Sequence, residues 1–321
     1  MTKQQDERGG LSPALVETVA GLSAGTMATL IVHPLDIVKT RMQIHRSSHN
    51  PNAPPPTTVS LIRTLSSNPK PIASLYRGLT PNLIGNATSW ASFFFFKNNV
   101  ERGILYLKAG PSSPTTTTDN DNEKPGLSPP DFFLASLVAG ALTQILTNPI
   151  WVLKTRMVSS DAGTKGAYPH MWAGALHLFR TEGIGGFYRG LGVGMLAVSH
   201  GAVQFAVYDP LKKMYSARQH KERQSRELSN EATVVLSTIA KLVAGGVTYP
   251  LQVLRSRLQG YEAEERFGKG IRGVVRQLWR EEGMRGFYRG VMPGVVRVLP
   301  ATWVTFLVYE NVRFYLPRWA S

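Results

Sequence analysis

Two cations sit among otherwise uncharged residues: Lys241, directly ahead of the run Leu242–Leu254, and Arg297, directly ahead of Val298–Tyr309. A charge inside an apolar segment is costly, so it faces a wet cavity or a partner and marks a binding path. Both cations suit phosphate or carboxylate, and Arg297 has the alternative of reaching a protein carboxylate. Trp151 and Trp90 offer stacking faces, with interfacial anchoring or packing as the alternative, and Gln204 and His200 offer hydrogen bonds, with a satisfied core histidine as the alternative for His200. Together these residue types fit a flat, negatively charged heterocycle. Catalysis is a poor fit. The chain has no cysteine, no Gly-x-x-x-x-Gly-Lys phosphate loop and no His-Glu-x-x-His metal pair. Gly190-Leu-Gly-Val-Gly narrowly misses a dinucleotide fingerprint and follows a Tyr-Arg-Gly turn rather than a strand. No enzyme, metal site or resident cofactor is expected.

The elements that would position these side chains read as membrane helices. Uncharged runs cover Thr18–Leu35, Gly78–Phe96, Phe132–Leu153 and Gly190–Tyr208, 18, 19, 22 and 19 residues long. About 20 apolar residues span a bilayer as a helix. The two shorter runs become long enough once Lys241 and Arg297 are admitted, so six spans are expected. The first ten residues, MTKQQDERGG, carry no apolar stretch of a secretory signal, and Asp6 and Glu7 argue against a transit peptide. A pI near 10.1 invites comparison with nucleic-acid binders. Their basic residues cluster on a soluble face, however, whereas these alternate with apolar spans. The loops after the odd spans hold 20 basic and 7 acidic residues; the opposite side holds 14 and 12. Such a bias keeps the basic side untranslocated and places both termini on the other side.

The chain is a triplicate. HPLDIVKTRMQ at His33–Gln43, NPIWVLKTRMV at Asn148–Val158 and YPLQVLRSRLQ at Tyr249–Gln259 align, and each precedes a second block with Tyr-Arg-Gly. From the prolines (Pro34, Pro149, Pro250) to the arginines of that block is 43, 40 and 39 residues. Each unit reads as a long span, a proline that kinks it, a basic segment, a short helix, the Tyr-Arg-Gly turn and a second span. Short helices are expected at Val59–Leu65, Met171–Glu182 and Ile271–Glu282. Residues 1–109, 131–218 and 233–321 form the units. A flexible Pro- and Thr-rich loop at 110–130 and a charged connector at 219–232 join them. Gly21 with Gly25, and Ser136 with Gly140, permit close helix approach.

This phased Pro-x-acidic-x-x-basic-x-basic block resembles the signature of the mitochondrial carrier family over nearly the whole chain. The resemblance implies an all-α membrane protein of six transmembrane helices in three pseudo-threefold repeats, with short matrix helices. It also implies a mitochondrial inner-membrane address, multi-pass, with both termini toward the intermembrane space, and alternating access. In the family, acidic and basic residues of successive odd helices pair as a matrix gate, so Asp36 is expected to meet Lys154. Trp151 and Gln252 replace the other two acids, which leaves Lys39 and Arg255 available. Gln43 and Gln259 resemble glutamines that brace this gate, and Val158 breaks their series. A gate with fewer contacts opens more easily. A cytoplasmic gate motif fits Tyr208-Asp209-x-x-Lys212 and Tyr309-Glu310-x-x-Arg313, with Asp209 expected to pair with Arg313. Its first copy, starting at Phe96, lacks the acid.

Within the family, Trp151 resembles the nucleotide and cofactor branch. Thr80-Pro81-Asn82, Ser89-Trp90, Phe93–Phe96, Gln204-Phe205, Lys241 and Gln252 resemble the folate/FAD subgroup. FAD is the favoured cargo, with folate, NAD and pyrimidine nucleotides as alternatives. The expected partners are this anionic substrate and membrane lipid, and no nucleic acid. One chain holds three repeats, so a monomer suffices.

Overall fold

The computed structural model describes residues 13–45, 56–109, 127–161, 167–222, 230–261 and 263–319, and their regular structure is entirely helical. Three helices carry the signature prolines: α1 (Pro13–Ile44), α5 (Pro129–Ser159) and α9 (Asn230–Gln259). Three further arms return: α4 (Leu79–Ala109), α7 with α8 (Leu191–Ala197, His200–Glu222), and α12 with α13 (Val291–Val296, Val298–Trp319). Between arms lie α2 (Thr58–Ser66) and α3 (Pro71–Leu75), then α6 (Met171–Phe187), then α10 (Ala263–Phe267) and α11 (Gly270–Gly286). The expected short helices fall within α2, α6 and α11. A capping box between Thr57 and Ser60 starts α2.

Five arms hold a window long and apolar enough to cross a membrane: Leu15–Ile44, Pro130–Ser159, Leu191–Ala217, Ala232–Gln259 and Val291–Arg318. The remaining arm, α4, is 31 residues long. Its inward residues are polar, which lowers its mean hydropathy. Asn82 is buried and donates to His33 Nδ1 at 3.2 Å, and Asn86 donates to the Thr29 hydroxyl at 3.5 Å. Much of the loop expected at 110–130 lies outside the described residues. Its end is already helical, because Ser128 and Asp131 form a capping box around Pro129 and Pro130. The connector expected at 219–232 is shortened by α8 reaching Glu222 and α9 starting at Asn230, while 223–229 lie outside the described residues.

The arms pack chiefly as α1 on α13, α4 on α5 and α8 on α9. Small residues make this possible, but the stripe is mostly alanine. Ala20, Ala24, Ala28, Ala135, Ala139, Ala240 and Ala244 are all buried. Gly21 and Gly25, one step further round the helix, are exposed and would leave an added Cβ in open space. Gly140 is a close-approach site, where a Cβ would lie 2.7 Å from Val198 Cγ1. The outer face exposes large apolar side chains such as Leu142, Leu146, Phe306 and Leu307, the surface that hydrocarbon solvates.

Candidate substrate cavity and gates

At the end that carries the prolines, α1, α5 and α9 converge, and three sets of contacts repeat around them. The residue before each proline reaches the carbonyl of its own Tyr-Arg-Gly arginine. His33 Nε2 donates to Arg77 O at 3.1 Å, Asn148 to Arg189 O at 3.3 Å, and Tyr249 to Arg289 O at 3.1 Å. A carbonyl only accepts, so His33 is the Nε2–H tautomer. The second basic residue of each signature donates Nε to the next repeat: Arg41 to Val158 O (3.1 Å), Arg156 to Gln259 O (3.3 Å), Arg257 to Gln43 O (2.9 Å). The last of these closes the ring. Glycines 78, 190 and 290, at φ of 76°, 72° and 81°, bring each turn against the neighbouring repeat. At Gly290 a Cβ would stand 2.9 Å from Lys39 O.

Gln43 and Gln259 both make hydrogen bonds at these seams. Gln43 donates to Tyr249 Oη (3.1 Å) and accepts from Ser256 (2.7 Å), and Gln259 accepts from Thr155 (3.1 Å). Val158 instead packs with Ile37, Val38 and Leu65. Two residues missed in the sequence anchor the ring. Glu182 binds Arg156 and Arg189, and Glu282 binds Arg257 (2.6 Å) and Arg289 (2.7 Å). Their signal was an acid-glycine pair seven residues before each Tyr-Arg-Gly arginine. Repeat one has Lys70 there, and Arg41 turns to Asp161 at 2.7 Å.

Burial alone would push the Glu182 carboxyl up, but hydrogen bonds and charge from Arg156, with Arg189 beyond, hold it below its ordinary 4.5. Its contribution is therefore complete above that value and lost as acid takes the pH down through the depressed one. A thermal-denaturation series run from neutral pH into acid is expected to show a falling midpoint. Glu182→Gln is expected to lower the neutral midpoint and flatten the acid arm.

Behind the ring lies a cavity of about 460 Å³. Lys39, Lys154, Arg255 and Arg297 line it, with Asp36 and Trp151. Four cations thus face one carboxylate. The pairing differs from expectation. Asp36 is ion-paired with Arg297, and no ion pair joins Asp36 to Lys154 among the described residues. The reason is steric: Arg297 stands where the sister arms have Gly85 and Ala197, and α12 packs on α1, so its long side chain crosses to the carboxylate. Lys39 is not left free, because it donates to Gln252 Oε1 at 2.9 Å. Lys154 lies 5.0 Å above the Trp151 ring, which also rests 3.3 Å from where a Gly85 Cβ would be. Arg255 keeps Nε and Nη2 enclosed with no hydrogen-bond partner among the described residues.

Other expected contacts stand apart from this cavity. Trp90 is 64% exposed and stacks on Phe94, itself 59% exposed, at 5.8 Å; it points away from the interior. His200 Nδ1 bonds Thr248 Oγ1 at 2.9 Å. Ser89 and Gln204 are partly buried on their arms, outside the cavity wall. Lys241 is exposed, eleven residues (three helical turns) ahead of Gln252 and so on the same stripe. At the far end the gate expected from Asp209 and Arg313 is not formed. Arg313 Nε meets Glu17 at 3.1 Å and Tyr309 donates to the same carboxylate, tying α13 to α1. Asp209, Lys212 and Glu310 are exposed and make no ion pair among the described residues, while Phe96 and Tyr208 are partly buried. The proline end is joined across all three repeat boundaries, whereas at the far end the pairs expected from the gate motif are absent among the described residues.

A threefold helical barrel of this kind, with a charged pocket between a formed and an unformed gate, is the architecture of a solute carrier and not of an enzyme. The profile described as mitochondrial carrier protein matches residues 11–107, 126–219 and 226–318, one match per repeat, and the chain belongs to that family. The Saccharomyces cerevisiae mitochondrial FAD carrier protein is 35% identical over 310 residues, covering 95% of this chain and 98% of its own. An Arabidopsis thaliana chloroplastic folate transporter is 34% identical (91% and 92% covered), and a chloroplastic nicotinamide adenine dinucleotide transporter from the same plant is 32% identical (94% and 92%). A transporter of this family carries its small-molecule substrate as cargo and holds no resident cofactor.

Proposed function

We propose that this carrier moves a flat anionic cofactor, FAD first, across the mitochondrial inner membrane by alternating access. The observation that carries the reading is the cavity: four cations against one carboxylate, with an indole in place of a gate acid. A pyrophosphate answers the charge and an isoalloxazine or adenine ring stacks on Trp151. The similarity to an FAD carrier supports this order, and the folate transporter at 34% makes folate the second reading. The proline end faces the matrix and both termini face the intermembrane space, in keeping with the basic loops. A single chain completes the cavity, so a monomer embedded in lipid carries out transport.

A thermal-shift panel of FAD, FMN, folates, NAD and pyrimidine nucleotides on purified protein tests the cargo, since a ligand stabilises the state it binds. FAD is expected to give the largest shift, and a larger response to folate or NAD overturns the choice. In proteoliposomes, Lys241→Ala and Arg297→Ala are each expected to cut FAD uptake about tenfold or more, the worth of one charged hydrogen bond. Unchanged uptake in both variants removes them from the path.

A further inference from the structure

We infer that Arg255 is the seat of an anionic group of the cargo, phosphate in the first instance, and that the cargo thereby supplies the negative charge that this end of the carrier lacks. The inference rests on the cofactor-carrier reading above for its ligand but not for its geometry.

Three of the four cavity cations are already answered: Arg297 by Asp36, Lys39 by Gln252, and Lys154 by the face of Trp151. Arg255 is the exception. Its Nε and Nη2 are enclosed and donate to nothing among the described residues. Leaving two guanidinium donors shut away from water without an acceptor is unfavourable, and natural structures rarely do so without cause. The arrangement of the ring explains why the acceptor is missing. Lys39, five residues past its proline, bonds Gln252, which is two past the proline of the preceding helix in the cycle. The same rotation assigns Arg255 to position 151, where tryptophan offers a ring face but no charge. A guanidinium presents its donors as a planar fork that matches two oxygens of a phosphate or carboxylate. Because Arg255 and Trp151 line one cavity, an anion seated on the first places an attached ring within reach of the second.

The test is binding by thermal shift and by titration to purified wild type, Arg255→Gln, Arg255→Lys and Trp151→Glu. The probes are FAD, FMN, riboflavin, which carries no phosphate, and inorganic pyrophosphate. In wild type, FAD, FMN and pyrophosphate are expected to stabilise. Arg255→Gln is expected to weaken all three roughly tenfold or more and to leave riboflavin unchanged. Arg255→Lys, which keeps the charge but loses the fork, is expected to fall between the two and serves alone if the glutamine variant does not fold. Trp151→Glu is expected to abolish the pyrophosphate response by occupying Arg255 internally. Wild-type affinity for FMN and pyrophosphate in both Arg255 variants overturns the assignment, and so does an equal loss for riboflavin. If wild type ignores flavins yet binds pyrophosphate through Arg255, the FAD reading fails and the anion seat stands. If FAD binds equally with and without Arg255, the seat fails and the FAD reading stands.

Discussion

Glu282→Gln is expected to lower the thermal midpoint of the detergent-solubilised protein by on the order of 10 °C, and Arg257→Ala by at least as much. Arg257 is fully buried and Glu282 nearly so, with side-chain exposures of 0% and 6%. Removing either partner strands a charge where water does not reach, which costs roughly 3–5 kcal/mol. Arg257 also donates to Gln43 O and Arg289 also holds Glu282, so one substitution weakens the seam between repeats three and one and the turn beside it. The equivalent change in repeat one, Arg41→Ala, removes a contact to Asp161, whose side chain is 40% exposed, and is expected to cost far less. Equal midpoints for the two arginine variants would show that burial of the ring is not what holds it.

Trp151→Glu is expected to have the opposite effect on stability and the larger one on transport. A carboxylate at 151 gives the unanswered Arg255 donors an acceptor, so the ligand-free protein is expected to melt higher. A charged hydrogen bond of about 1.5–3 kcal/mol added only to the closed gate lowers the open population about tenfold or more. Uptake in proteoliposomes is expected to fall accordingly, and loss of the indole removes the stacking face as well. Wild-type transport and an unchanged midpoint would reduce Trp151 to an interfacial anchor.

The triplicate was readable because proline, basic residues and Tyr-Arg-Gly recur in phase, and each has a local physical reason to do so. Gln43 and Gln259 were legible for the same reason. Partner choice was legible only in part: a protein carboxylate was an open alternative for Arg297, but which one was not readable. Asp36 meets Arg297 because α12 packs on α1 and a small residue is absent at 297, facts that depend on arms far apart in the chain. Trp90 misled because a tryptophan reads alike whether it faces cavity or lipid, and only the rotation of α4 decides. The expected far pair is absent because Arg313 is taken by Glu17, a contact between the first and last arms that no local pattern announces. Glu182 and Glu282 were within reach of pattern reading: a glycine after each allows the left-handed turn, at φ of 64° and 58°, that aims the carboxylate back at the ring.

The three links of that ring are unequal, and an unequal ring does not open like an iris. Between repeats one and two the closure relies on Val158, on Arg77 donating to Met157 O at 2.6 Å, and on an outward-facing carboxylate at Asp161. The other two boundaries each have a glutamine clasp, and in each a glutamate holds the crossing arginine from within the arginine's own repeat. Joined by different means, the three boundaries do not share a load equally, so the helices at this end are expected to part unequally.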